Sequence, residues 1–128
     1  MSGVERFRVS PRRVEKPWGW ELIWAEGDAY LGKLLFVRAG EALSLQYHEL
    51  KDEAWLVRDG LARVELAGQG DELETIEIRE GDALHYPPGT LHRVTAVEDT
   101  LIVEVSTPHP DDVVRVEDRY GREGTSTP

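Results

Sequence analysis

GEALSLQYHELKDEAW, residues 40–55, runs as an extended segment through residues 42–48 and then turns on charged residues before a carboxylate, Glu53, and a second apolar run. In a strand successive side chains point to opposite faces, so Ser44, Gln46 and His48 share one side while Leu45 and Tyr47 take the other. A tight reversal over Leu50, Lys51 and Asp52 brings Glu53 back beside Gln46 and His48. An amide, an imidazole and an acid on a common side do not suit a dry core. They form either a polar rim or a metal site.

Outward from this stretch the chain reads as strand after strand. LGKLLFVR (31–38) comes before it, and AWLVRDGLARVEL (54–66) follows as two runs joined at Asp59 and Gly60, a pair that suits the positive φ of a tight hairpin. LETIEIRE (73–80) alternates with period two, the mark of a strand with one wet face. DALHYP (82–87), LHRVTAV (91–97) and TLIVEVS (100–106) add three more, separated by Pro87, Pro88 and Gly89 and by Glu98 and Asp99. No segment carries a helical stripe longer than two turns. Many short strands at near-regular spacing predict a sandwich or a barrel. The expected organisation is one domain over residues 16–120, an arm over residues 1–15 whose stretch around Phe7 to Val9 is a candidate swapped edge strand, and a loose polar tail over residues 121–128.

The 128 residues suffice for one domain that buries roughly two-thirds of its unfolded surface. With no cysteine there is no disulfide and no thiolate ligand, so nitrogen and oxygen must hold any ion. Twenty-five acidic against fifteen basic residues give a formal charge of -10, which argues against nucleic acid as a partner but leaves room for a local basic pocket. The opening MSGVERFRVS has no signal-peptide core, and no run approaches the roughly 18 apolar residues of a membrane span, so a cytoplasmic protein without a membrane partner is expected.

Two spacings carry the next step. Gly40, Gln46, His48, Glu53 and Gly60 stand in the order and spacing of the first cupin motif, with glutamine for its first histidine, and Gly81, Pro87, Gly89 and His92 resemble the second. KPWGWELIWAEGDAY (16–30), SLQ (44–46), PPGTLHR (87–93) and DDVVRVEDRYGR (111–122) resemble the carboxy-terminal cupin domain of type II mannose-6-phosphate isomerases, over nearly the whole chain. In that family the domain is usually fused behind a guanylyltransferase, so a freestanding isomerase-like domain is the expectation here. The resemblance implies an all-β double-stranded β-helix, or jelly-roll barrel. It also implies a divalent metal held by Gln46, His48, Glu53 and His92, zinc first, with manganese, iron, cobalt and nickel as alternatives. The implied activity is aldose-ketose isomerisation of mannose-6-phosphate or a related sugar, in a homodimer. An iron-dependent cupin oxygenase and a noncatalytic sugar-binding module are the alternatives, since fold does not choose among them.

The departures fall beside the ligands. Glu49, Leu50 and Lys51 stand where the family carries further histidines and an arginine, and Ala54 replaces a common histidine. Arg122 matches a tail arginine implicated in the isomerase reaction and suits a lid; its rival reading is a loose ion pair. Lys33, Lys51 and Arg93 are candidates by position for a substrate phosphate, and Lys33 is read equally as part of a solvated strand face. Glu49 is the candidate base. Ser44 shares the face of Gln46 and His48, and Trp55, with the parity of Glu53, is expected to line the pocket. His85 and His109 lie outside the pattern and are read as surface or packing residues.

Overall fold

The computed structural model describes residues 3–125. After a single 3-10 turn at Glu5–Phe7, the described chain forms twelve strands: β1 (Arg12–Lys16), β2 (Gly19–Glu26), β3 (Leu31–Val37), β4 (Leu45–Tyr47), β5 (Glu53–Asp59), β6 (Leu61–Ala67), β7 (Glu74–Arg79), β8 (Ala83–Tyr86), β9 (Leu91–Ala96), β10 (Thr100–Ser106), β11 (Val114–Glu117) and β12 (Gly124–Thr125). They build two six-stranded antiparallel sheets, ordered β1-β2-β3-β10-β5-β8 and β12-β11-β4-β9-β6-β7. The inward positions of β3, β5, β6, β9 and β10 carry Leu35, Val57, Val64, Val94 and Ile102, each at most 2% exposed. Such side chains contribute about 1.5–3 kcal/mol each when buried, and their alternation with outward residues selects strands over helices.

Aspartate 59 and glycine 60 do not make the expected hairpin. β5 lies between β10 and β8 in the first sheet, and β6 lies between β9 and β7 in the second, so the chain changes sheets at Gly60. The glycine is required, though for a different reason: its φ is +108°, and a Cβ there would come within 2.4 Å of the Asp99 carbonyl oxygen. A positive φ beside apolar alternation looks the same in sequence whether the two runs pair or part.

Two further boundaries differ from expectation. Only residues 45–47 of the predicted 42–48 strand are regular, with Ala42 forming an isolated bridge to Thr95. Phe7 sits in the 3-10 turn and the first strand starts at Arg12, so no strand occupies residues 7–9. At the other end, Gly124–Thr125 pairs with Val114 and Arg115, while residues 126–128 of the expected loose tail lie outside the described residues.

Candidate metal centre

His48 follows the last residue of β4, Glu53 opens β5, and His92 on β9 lies directly opposite Gln46 on β4. Asp112 clamps the turn between the two motif halves. Its carboxylate accepts the main-chain N–H groups of Glu49 (3.0 Å), Leu50 (2.6 Å) and Lys51 (2.9 Å). Burial pushes this carboxyl up, but the three main-chain donors outweigh burial and hold it below its ordinary value. The carbonyl oxygen of the same residue lies 2.5 Å from His48 Nδ1.

His92 is held in a similar way, with Nδ1 at 2.9 Å from the Thr90 carbonyl oxygen. Each Nδ1–H therefore donates to main chain, and each Nε2 is turned inward with its lone pair. The Tyr86 ring stacks on His92 at 4.3 Å between centroids, and Trp55 stands edge-on to both.

Glu53 Oε1 lies 3.0 Å from His92 Nε2 and 3.6 Å from His48 Nε2, and the ligand atoms of the three residues are all within 4.8 Å of one another. Among the described residues neither Nε2 has a hydrogen-bond partner, although both are buried. Orphaned polar atoms in a dry interior are costly unless something pairs with them. Donors around a tetrahedral zinc, each about 2.1 Å from the ion, stand roughly 3.4 Å apart. The donor set thus fits a divalent cation in spacing and chemistry. Gln46 lines the same pocket; its Oε1 accepts the Ser44 hydroxyl at 2.7 Å and keeps a second lone pair.

Behind the donors runs a buried ladder of charge. Lys51 Nζ sits 2.9 Å from Glu53 Oε2 and 3.1 Å from Glu104 Oε2. Lys33 Nζ sits 3.7 Å from Glu104 Oε2 and 3.1 Å from Glu21 Oε1, and Trp55 Nε1 donates to Glu104 Oε1 at 3.0 Å. Burial pushes the Glu53 carboxyl up, and the Lys51 ammonium against Oε2 opposes this and favours the charged form. For Lys51 burial favours the neutral form, yet the charges of Glu104 and Glu53 raise it above the ordinary lysine value.

The cavity over the donors is narrow, about 50 Å³, and Lys16, Pro110, Val113, Arg115 and Arg122 are among the residues that line it. Of the residues singled out from sequence, Lys33, Lys51, Trp55 and Arg122 line it. Ser44 is buried and braces Gln46. Two candidates stand elsewhere. Glu49 is solvent-exposed and away from the cavity, because the Asp112 clamp turns its segment outward. Arg93 forms a two-pronged pair with Glu65 on the neighbouring strand, at 2.8 and 3.0 Å, and borders a separate surface hollow. His85 is exposed and paired with Asp52, and His109 bonds Thr107.

Glu21, Glu104, Lys16, Arg115 and Asp112 escaped the sequence reading. For the first two a signal was present: a carboxylate at an inward position of otherwise apolar strands, in WELIW and in LIVEV.

The sequence profile of the family described as Mannose-6-phosphate isomerase C-terminal matches residues 5–118. The chain belongs to this mannose-6-phosphate isomerase C-terminal family. Among its relatives are the mannose-1-phosphate guanylyltransferase ManC of Salmonella typhimurium, 36% identical over 87% of this chain and 23% of that protein, and a mannose-1-phosphate guanylyltransferase of Escherichia coli K12, 34% identical over 94% of this chain and 25% of that protein. The isomerase-family chain thus spans about a quarter of these relatives' length. KdgF from a Halomonas species matches in structure with a TM-score of 0.66 and 26% identity, over 80% of this chain and 89% of that one. A Bacillus subtilis oxalate decarboxylase variant shares the cupin fold, with a TM-score of 0.73 and 16% identity over 83% of this chain and 30% of that one.

Proposed function

We propose that this domain is a metal-dependent, cytoplasmic sugar-phosphate isomerase of the mannose-6-phosphate isomerase type, interconverting mannose-6-phosphate and fructose-6-phosphate or a closely related pair. The observation that carries the reading is the convergence of His48, Glu53 and His92, with Gln46 beside them, in a pocket that is otherwise rich in cations. Family membership supports the reaction class. These four side chains would hold the metal, zinc by family preference.

When bound, such an ion polarises the sugar carbonyl or its neighbouring hydroxyl and stabilises the charge that develops on oxygen. The chain's own residues must bind the sugar, move a proton between its first two carbons and keep water out. Glu104 is committed to Trp55 and two lysines, and Glu53 to the donor cluster. Glu21 is the remaining carboxylate in the cavity wall. Lys33 holds its Oε1, while Oε2 makes no hydrogen bond among the described residues. Glu21 therefore takes the role of proton carrier in place of Glu49, with Lys33 orienting it through Oε1.

Small-molecule sites usually offer about 300 Å³ or more. With about 50 Å³ present, the reading requires the segment carrying Pro110, Val113 and Arg122 to move outward to admit a sugar phosphate and then to close over it. The test is a coupled assay for fructose-6-phosphate from mannose-6-phosphate, using protein stripped of metal and reloaded with zinc, manganese, iron, cobalt or nickel. Turnover that requires the metal and falls at least a hundredfold in Glu21→Gln supports the reading. Metal-loaded protein that turns over no sugar phosphate ends it.

A further inference from the structure

In DDVVRVEDRYGR (111–122) the sequence singles out Arg122, but the structure sets Asp112 against the donor cluster. The two imidazole donors are held in different ways. His92 Nδ1–H donates to the carbonyl of Thr90, two residues away on the approach to its own strand. His48 Nδ1–H donates to the carbonyl of Asp112, 64 residues away, at 2.5 Å. The main chain of His48 has a separate anchor, since its carbonyl accepts the Gly89 N–H at 2.7 Å. Releasing Asp112 therefore frees the ring without unseating the residue.

Asp112 belongs to the connection between β10 and β11, residues 107–113, whose Pro110 lines both the metal pocket and a neighbouring hollow of about 240 Å³. At one end of this strap Thr107 is tied to Asp52: its N–H donates to the Asp52 carbonyl at 3.0 Å, and its hydroxyl oxygen accepts the Asp52 N–H at 3.1 Å. At the other end Asp112 holds the turn after β4, with its carbonyl on His48 and its carboxylate on the N–H groups of Glu49, Leu50 and Lys51. Between the two anchors the main-chain bonds are local, from His109 N–H to the Thr107 carbonyl (2.9 Å) and from Asp112 N–H to the His109 carbonyl (3.2 Å). Opening the strap breaks the Asp112 contacts together and uncovers the buried Val113.

We propose that Asp112 is a positioning residue for the metal site, and that the 107–113 strap is through it a latch whose closure and metal binding favour each other. An imidazole that ligates through Nε2 becomes a stronger donor at Nδ1, so the bond from His48 to the Asp112 carbonyl tightens when the site is loaded. Reciprocity of linkage then requires the closed strap to raise metal affinity by the same factor. Outer partners of this kind are worth about 10–100-fold in metal affinity. By the same linkage, a ligand that lifts the strap to enter the pocket loosens the ion. The latch rests on the metal end of the reading above and not on the isomerisation.

The experiment measures zinc affinity by competition with a chromophoric chelator for wild type, Asp112→Ala, Asp112→Asn and Gly81→Ala, and amide hydrogen exchange with and without zinc. Asp112→Ala is expected to bind zinc about 10–100-fold more weakly. Asp112→Asn, which keeps a side-chain acceptor for the turn, recovers part of that loss. Gly81→Ala, a destabilising change at a residue that does not line the pocket, keeps the wild-type affinity and so separates positioning from stability. In wild type, zinc slows exchange of the Glu49, Leu50 and Lys51 amides by the factor that Asp112→Ala loses in affinity, beyond any slowing of the β6 and β9 amides. Equal zinc affinity in wild type and a folded Asp112→Ala overturns the latch, and so does a slowing that is uniform across the barrel. Should both Asp112 variants unfold, exchange in the wild type decides alone. A wild type that shows the latch but isomerises nothing ends the isomerase reading only. A wild type that binds neither zinc nor manganese ends the metal reading and the latch together.

Discussion

Lys51 and Glu53 divide one carboxylate between two tasks: Oε2 meets the ammonium at 2.9 Å, and Oε1 faces the imidazoles. Lys51 therefore fixes the acid's rotation and neutralises part of its charge before any ion arrives. Glu53→Gln is expected to reduce bound metal from about one equivalent per chain to less than a tenth, measured by elemental mass spectrometry, because the amide's NH₂ or its neutral oxygen replaces an anionic donor. His85→Gln, at an exposed imidazole far outside the cluster, should leave the metal in place. Glu104 carries a different burden. At 3% exposure it serves Trp55, Lys51 and Lys33. Glu104→Gln leaves buried ammonium groups short of a counter-charge and should cost about 3–5 kcal/mol in urea unfolding, whereas Glu21→Leu with Lys33→Met should cost less than the sum of the two singles. A Glu104→Gln loss under about 1 kcal/mol means that water solvates the ladder.

At the scale of elements, the turn between β4 and β5 decides whether the motif residues meet, and Asp112 ties that turn from the far end of the chain. Asp112→Asn replaces three charge-assisted bonds by weaker ones and should cost roughly 1–2 kcal/mol after allowance for its partial exposure. The native carboxyl lies below its unfolded value, so its contribution is complete above about pH 4 and is lost as pH falls through the native value. The gap between wild type and Asp112→Asn in urea midpoint should therefore close on acidification below pH 4; a gap that widens there reverses the sign of the argument. Gly60 and Gly81 give a second contrast. Both have positive φ, but a Cβ at Gly60 strikes the Asp99 carbonyl, while one at Gly81 meets nothing within 4 Å. Gly60→Ala should cost clearly more than the roughly 1 kcal/mol expected for Gly81→Ala. The sequence made His48 and Glu53 legible because they are joined by a short turn, and His92 because a Pro-Gly turn sets its strand. It left Lys16, Glu21, Glu104 and Arg115 illegible, since they meet only when strands remote in the chain close into one cup. The Asp59 and Gly60 pair shows the same limit, for local residues encode the backbone angle and not which sheet receives the next strand.

At the scale of the whole molecule, no element among the described residues covers the outer face of the first sheet. Leu22, Leu34, Val103 and Leu56 form a row across β2, β3, β10 and β5, with Trp20, Phe36 and Leu101 in the row beside it. Leu56 is 44% exposed, Val105 52% and Trp24 43%. Charged or titratable side chains on this side, Arg13, Glu15, Arg58 and His85, stand at its margins, so the face has the apolar centre and polar rim of an interface. We propose a second copy as the occupant, since the charge distribution favours it. In a chain of formal charge -10, two copies repel across most approaches, and this centre lets them meet without opposing carboxylates. The amino-terminal arm continues the same surface, since Val9 borders a hollow with Trp24 and Tyr30. Phe7 and Val9, 72% and 68% exposed, would gain cover from the partner without forming the swapped strand that the sequence suggested. Light scattering should give twice the chain mass for wild type and the single-chain mass for Leu56→Glu with Val105→Glu, at unchanged metal content. Neither substitution touches the metal pocket, so a wild type that runs as a monomer, or a dimer indifferent to both charges, rejects this face as the contact.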